Sequence, residues 1–227
     1  MNLLEIEQLR KGFRAPTGEQ TLIVDIPAFT MTPGQHVALR GASGSGKTTF
    51  LNLIAGILKP DQGQIRLEGR DIAALSESQR DSIRANSFGY VFQTFNLLQG
   101  YTALENVTLG MMFGKGSDRA YAEQLLHKVG LADRMHYRPR QLSVGQQQRV
   151  AVARALANHP KLVLADEPTG NLDPVHAREA LRLIREICAE SGAALLLVSH
   201  DEGVLEQFDS CTDFLGLNRA FTGGAGG

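Results

Sequence analysis

The sequence predicts an α/β fold with a mainly parallel core sheet. Two observations carry this expectation. Strand-like and helix-like segments alternate along most of the 227 residues, the pattern of parallel strands joined by helices. Two of the strand-like segments, residues 162–165 and 194–198, are unbroken apolar runs, as strands covered on both faces require.

The elements follow in order. Residues 3–9 alternate with period two and read as a half-buried strand, and residues 22–26 form a second short apolar run. His36–Arg40 is a strand set between the turn formers Pro33-Gly34 and Gly41. Residues 47–56 read as a helix ending at a glycine, and residues 64–68 and 88–92 as short strands. Ala103–Met112 and residues 119–129 look helical. Residues 146–158 and 175–190 carry apolar side chains at three- and four-residue spacing. Between residues 72 and 138 little strand signal follows Phe92, which suggests a helical subdomain inserted into the α/β core. The tail, residues 223–227, is expected to fray.

Composition narrows the class. Hydrophobic residues make up 43% and charged residues 21%, which excludes disordered and collagen-like chains. Lys and Arg number 23 against 24 Asp and Glu, a net charge of -1. Such a chain exerts no global pull on nucleic acid, so any anion must be held by a local site. Cys188 and Cys211 fit a reducing compartment with no zinc site, though one bridge between them stays open. The N-terminus has no signal-peptide pattern, and no apolar run approaches the roughly 20 residues of a membrane-spanning helix. A soluble, cytoplasmic protein is expected.

Two motifs bring chemistry. Gly41-Ala42-Ser43-Gly44-Ser45-Gly46-Lys47-Thr48 matches G-x-x-x-x-G-K-[ST] between an expected strand and an expected helix. Its glycines let consecutive N–H groups turn inward around an anion, and the helix behind adds its positive N-terminus. Lys47 supplies a point charge for β- and γ-phosphates, and the Thr48 hydroxyl suits Mg²⁺. The second motif is an apolar strand ending in Asp166-Glu167-Pro168. Ligands bind beyond the carboxyl ends of such strands. Asp166 is therefore a metal candidate, and Glu167 a candidate to polarise an attacking water. In isolation these two acids would read as a solvated turn.

Together these residues resemble the nucleotide-binding domain of the ATP-binding cassette (ABC) family. Leu142-Ser143-Val144-Gly145-Gln146 is similar to the family's LSGGQ signature. Gln93 resembles the Q-loop glutamine, Asn171-Leu172-Asp173 the D-loop, and His200 the switch histidine; the resemblance runs from about residue 4 to about residue 213. It implies a P-loop NTPase with an antiparallel N-terminal β subdomain. The α/β core would cover about residues 1–92 and 160–215 and the helical subdomain about 93–159.

The resemblance also implies roles. Glu167, His200 and Gln93 would be catalytic. ATP would meet Gly41, Ala42, Ser43, Gly44, Ser45, Gly46, Lys47, Thr48 and Thr49, while Thr48, Gln93 and Asp166 would hold Mg²⁺. Phe13 is the candidate to stack on adenine. Ser143, Gly145, Gln146 and Asp173 would close over the ATP of a second copy, giving a homodimer with two ATP molecules at its interface. Val144 departs from the signature's usual glycine and would be strained if that position needed φ > 0. The C-terminal stretch, residues 214–221, also departs from the family pattern.

The segments Phe92-Gln93-Thr94-Phe95-Asn96-Leu97-Leu98 and Thr102-Ala103-Leu104-Glu105-Asn106-Val107 are similar to one branch. It holds the lipoprotein-release, macrolide-export and cell-division ATPases of bacteria. That implies an ATPase on the inner face of the cell membrane, driving an integral-membrane permease subunit and binding no nucleic acid. The alternative is an ATP-dependent assembly module of low turnover that recruits a membrane partner.

Overall fold

In the computed structural model, residues 1–221 are described except 15, 17 and 115. The expected fraying of residues 223–227 lies outside the described residues. Contacts divide the chain into two compact units, Met1–Asp81 with Val198–Gly227, and Ser82–Leu197.

The first unit opens on strands β1 (Leu4–Arg14) and β2 (Gln20–Met31). They pair antiparallel, and with β4 (Gln62–Leu67) and β5 (Arg70–Asp71) they form a sheet of order β2-β1-β4-β5. Between them in sequence lie β3 (His36–Arg40) and helix α1 (Lys47–Ile54). Helix α2 (Glu77–Ser87) follows. The expected alternation of β1 breaks midway: Leu4, Ile6 and then Leu9, not Gln8, are buried. A bulge makes the correction. Gln8 takes a left-handed φ of 50° and the register against β4 shifts between Glu7 and Arg10. The extra residue returns Leu9 to the core face. Across from it, Gly63 has φ 91°, and a Cβ there would lie 2.3 Å from the Gln8 carbonyl oxygen.

The second unit holds β6 (Phe88–Val91), helices α3 (Ala103–Met112), α4 (Arg119–Lys128) and α5 (Val144–Leu156), strand β7 (Leu162–Asp166) and helix α6 (Pro174–Ser191). Strand β8 (Ala194–Ser199) comes next. Strands β6 and β7 run parallel, Phe88 opposite Leu162 and Val91 opposite Ala165, with β8 on the far side of β7. Every residue of β7 is buried, as its apolar run requires. Helix α6 buries Ala177, Ala180, Leu181, Ile184, Ile187 and Cys188, a stripe at three- and four-residue spacing. Helices α3 and α5 pack closely at Gly110, where a Cβ would lie 3.0 Å from Arg154 Cγ.

The chain then returns to the first unit with α7 (Glu202–Leu205), β9 (Cys211–Asp213) and α8 (Phe214–Leu217). Strand β9 pairs parallel with β3, Arg40 opposite Asp213. Phe50 of α1 packs edge-on against Phe29 of β2, with ring centroids 5.7 Å apart, and against Phe214 of α8 at 5.6 Å. Both cysteines are free, and burial pushes the Cys188 thiol up to about 12.

The mixture of antiparallel β1, β2, β4 and β5 with parallel β3, β6, β7 and β9 matches the expected class. Helix α2 was not expected. It buries no residue, so it writes no apolar stripe into the sequence. Gly63→Ala should destabilise the protein by about 3 kcal/mol, combining left-handed strain with overpacking against the bulge. Urea denaturation measures it, and an unchanged midpoint would contradict the account.

Candidate nucleotide site

In the first unit the glycine-rich loop leaves β3 and enters α1. Gly44 and Gly46 take left-handed φ values of 79° and 92°. Gly46 is the N-cap of α1, and a Cβ there would lie 2.8 Å from the Ile23 carbonyl oxygen. Only glycine fits both the conformation and the approach to β2.

Lys47 begins the helix yet is 6% exposed. Its ammonium donates to the Gly41 oxygen at 2.6 Å and the Ala42 oxygen at 2.8 Å, so the side chain curls back beneath the loop. Helix α1 has no side-chain cap and no acidic residue in its first turn. Its first N–H groups and positive dipole end are thus not neutralised by a side chain. The Ser45 hydroxyl is buried with no hydrogen-bond partner among the described residues. A buried ammonium, an uncapped helix N-terminus and an unsatisfied hydroxyl together suit a polyphosphate. Thr48 is exposed at the start of α1, and Thr49 is partly exposed beside it.

The loop is held from outside by a residue the sequence did not flag. Asn218, just after α8, is fully buried. Its Oδ1 accepts from the Asp25 N–H at 2.8 Å. Its Nδ2 donates to the Ile23 oxygen at 2.8 Å and to the Ser45 oxygen at 3.2 Å. One side chain thereby ties β2 and the phosphate loop to the C-terminal segment. No motif surrounds Asn218, so only the folded chain exposes its role. His200 follows β8 directly, and the preceding Ser199 oxygen accepts the Gly41 N–H at 3.3 Å. Phe13 lies on β1, 44% exposed, with the Lys11 ammonium 5.7 Å from its ring centre.

In the second unit Asp166 ends β7 and is buried. The Tyr90 hydroxyl is pushed well above its usual range, by burial first and by the Asp166 charge second. Glu167 is the next residue, and its φ is 45°. A left-handed non-glycine residue is uncommon, and its cost persists only where the surroundings hold it. The Gly170 N–H holds it by donating to the Glu167 oxygen at 3.1 Å. Gln93 is beside this turn. Its carbonyl oxygen accepts from Asn171 Nδ2 at 2.7 Å, and a Cβ on Gly170 would lie 3.2 Å from its Nε2. Gln93 is thereby held against the turn that follows Asp166 and Glu167.

The signature segment starts α5. Ser143 is its N-cap: its Oγ accepts the Gln146 N–H at 3.2 Å, while Gln146 Oε1 accepts the Ser143 N–H at 3.0 Å. This reciprocal pair fixes the loop and engages the Gln146 carboxamide, while the Ser143 hydroxyl keeps its proton for another acceptor. Val144 is the first helical residue and is not among the residues with positive φ. The strain that a valine would suffer there does not arise. Gly145 faces the start of α6, where a Cβ would lie 3.8 Å from His176 Cδ2. Asp173 caps α6, accepting the Val175 N–H at 3.1 Å and the His176 N–H at 3.3 Å, and pairs with His176 Nδ1. The His176 side chain, followed by the backbone N–H groups, holds its carboxyl below the usual range.

The sequence profile of the ABC transporter family matches residues 24–170. The chain is 40% identical over 212 residues to the lipoprotein-releasing system ATP-binding protein LolD 2 of Caulobacter vibrioides, covering 91% of this chain and 92% of that protein. It is 41% identical over 216 residues to the macrolide export ATP-binding/permease protein MacB of Syntrophobacter fumaroxidans, covering 91% of this chain but only 29% of that longer protein. A solved dimer of the ATP-binding cassette MJ0796 in a post-hydrolysis state, bound to ADP and Pi, superposes with a TM-score of 0.80 at 35% identity. That match covers 88% of this chain and 89% of the solved one. The chain belongs to the ABC transporter family and carries its ATP-binding domain.

Proposed function

We propose that this chain is the ATP-hydrolysing subunit that powers a membrane-embedded ABC transporter or mechanotransmission complex, working as a dimer. The observation that carries this reading is the Lys47 ammonium held on the Gly41 and Ala42 carbonyls beneath an uncapped helix N-terminus. Lys47 and the loop N–H groups hold the β- and γ-phosphates, and Phe13 stacks on the base. Thr48, Gln93 and Asp166 are oxygen donors of the kind Mg²⁺ takes alongside phosphate, and the ion supplies neutralisation of phosphate charge. Glu167, aimed by its left-handed backbone, accepts a proton from the attacking water, and His200 contacts the γ-phosphate. Ser143, Gly145 and the Asp173 segment of one copy close over the ATP of the other.

No helix among the described residues is long and apolar enough to cross a membrane. In this reading an integral-membrane permease subunit supplies the membrane part, and the chain works as a peripheral protein on the membrane's inner face. The likeness to the ATP-binding protein LolD 2 and to the ATP-binding/permease protein MacB supports this reading. The experiment is co-purification with an integral membrane protein, with ATPase activity measured in the presence and absence of that partner. Purification from native membranes without any such protein would overturn the transporter reading.

Three variants test the chemistry. Glu167→Gln should cut turnover by about 10²- to 10⁴-fold, the range of a lost general base, while ATP affinity is kept and an ATP-bound dimer accumulates on gel filtration. Wild-type turnover would remove Glu167 from the mechanism. Lys47→Ala should weaken ATP binding by about 100-fold in calorimetry, because a charge-assisted contact is lost. Equal affinity would reject the loop assignment. Asn218→Ala should cost about 3 kcal/mol of folding stability, since four backbone groups, on Ile23, Asp25, Ser45 and Ala220, lose their partner together. A melting temperature equal to wild type would show that the tie is dispensable.

A further inference from the structure

The starts of α5 and α6 meet in the second unit, and one side chain joins them. His176 is the third residue of α6. Its Nδ1 pairs with the Asp173 carboxylate that caps the helix. Another edge of the same ring faces α5, where a Cβ on Gly145 would lie 3.8 Å from His176 Cδ2. No other side chain among the described residues comes as close to that position. Gly145 is the second residue of α5, inside the signature segment. His176 lies outside every motif.

The charged groups around the ring are accounted for among the described residues. Asp173 stands at its own helix start, and Glu179 follows one turn along α6. From α5 comes Arg149, whose guanidinium lies 3.5 Å from the Glu179 carboxylate. Arg149 and Glu179 answer each other, which leaves Asp173 as the group that holds the imidazole.

That pairing fixes where a proton is gained or lost. A carboxylate accepts, so Nδ1 keeps its hydrogen in both the neutral and the charged ring. The change falls on Nε2, which is bonded to Cδ2 and has no hydrogen-bond partner among the described residues. In the neutral ring Nε2 presents a lone pair, and in the imidazolium it presents a charged N–H. Its neighbours on α5 are donors. The Ser143 oxygen caps the helix and leaves the hydroxyl proton free to donate, and the N–H groups of Val144 and Gly145 have no intrahelical partner. Beside these neutral donors His176 sets either a lone pair or a positive charge.

We propose that His176 is a positioning residue of the composite ATP site: it ties the Asp173 segment to the signature start, and its protonation tightens the hold of that start on the phosphates of the second copy's ATP. The inference rests on the dimer reading above and adds a residue that sets its pH dependence. An imidazole gains its second proton at about pH 6.5. Below that pH the charged ring favours phosphate, and above it the Nε2 lone pair does not. The ATP-bound dimer is therefore tighter in mild acid and loosens as the pH rises. A half-exposed charge contributes about threefold, and a symmetric dimer has two such sites, so the change reaches about tenfold.

The test measures the dimer constant of the full chain carrying Glu167→Gln, with ATP and Mg²⁺, by analytical ultracentrifugation. His176→Asn is compared with this parent, because asparagine keeps a donor for Asp173 and has no second nitrogen to protonate. The two should dimerise alike at about pH 8, and the parent should be about tenfold tighter at about pH 6. His200 and the nucleotide are the same in both chains, so the difference between the profiles belongs to His176. His176→Ala loses the tie as well and should dimerise more weakly than His176→Asn at every pH.

Parallel profiles for the parent and His176→Asn overturn the proposal and leave the composite site standing without it. A difference of the opposite sign overturns it as well. So does a His176→Ala chain that melts at lower temperature while keeping the parent's pH profile, since His176 would then serve the helix cap alone. If the parent forms no ATP-dependent dimer at any pH, the dimer reading fails and this inference fails with it.

Discussion

The phosphate loop sets the terms for the first unit. Its constraint is the burial of the Lys47 ammonium under backbone carbonyls, and a charge taken out of water must be met by close polar groups. Meeting it with the Gly41 and Ala42 oxygens requires the chain to fold back over its own side chain. That reversal needs left-handed backbone at Gly44 and Gly46. The same reversal presses Gly46 against the Ile23 oxygen of β2 and brings the Ser45 oxygen to Asn218. Strand, loop, helix and C-terminal segment are thus consequences of one arrangement, and Phe50 between Phe29 and Phe214 packs behind it.

The second unit fixes its functional groups through helix starts and one strained turn. Helices α3, α5 and α6 begin at Thr102, Ser143 and Asp173, and each cap accepts backbone N–H groups of its own first turn. Helix α1 is different, since no side chain caps it. Caps satisfy the first N–H groups where a loop must hold one shape, and leaving them open suits an anion. The turn at Glu167 spends backbone strain on direction. The Asn171 bond to the Gln93 carbonyl keeps the glutamine loop against that turn, so the acidic and amide groups share one support.

Much of this was legible from the residues. Helix Ala103–Met112 and strand His36–Arg40 have the boundaries the sequence predicts, because apolar spacing and turn formers mark their ends. The phosphate loop and the acidic strand end were legible because their chemistry demands fixed residue types at fixed spacing. Helix α2 was hidden because it buries nothing. The bulge at Gln8 was hidden because it is a phase correction, made only when β1 pairs with β4 around Gly63.

By itself, then, the sequence determined the fold class and the glycine-rich loop between strand and helix, and it named the carboxylates and amides proposed for nucleotide chemistry. These are properties of local spacing. Tertiary structure alone decided the rest: that Asn218 grips a loop 173 positions away, that Val144 sits in unstrained helix, and that the His176 ring lies beside Gly145. Such contacts join residues far apart in the chain, and their energy exists only once folding brings the groups within hydrogen-bonding or Coulombic reach.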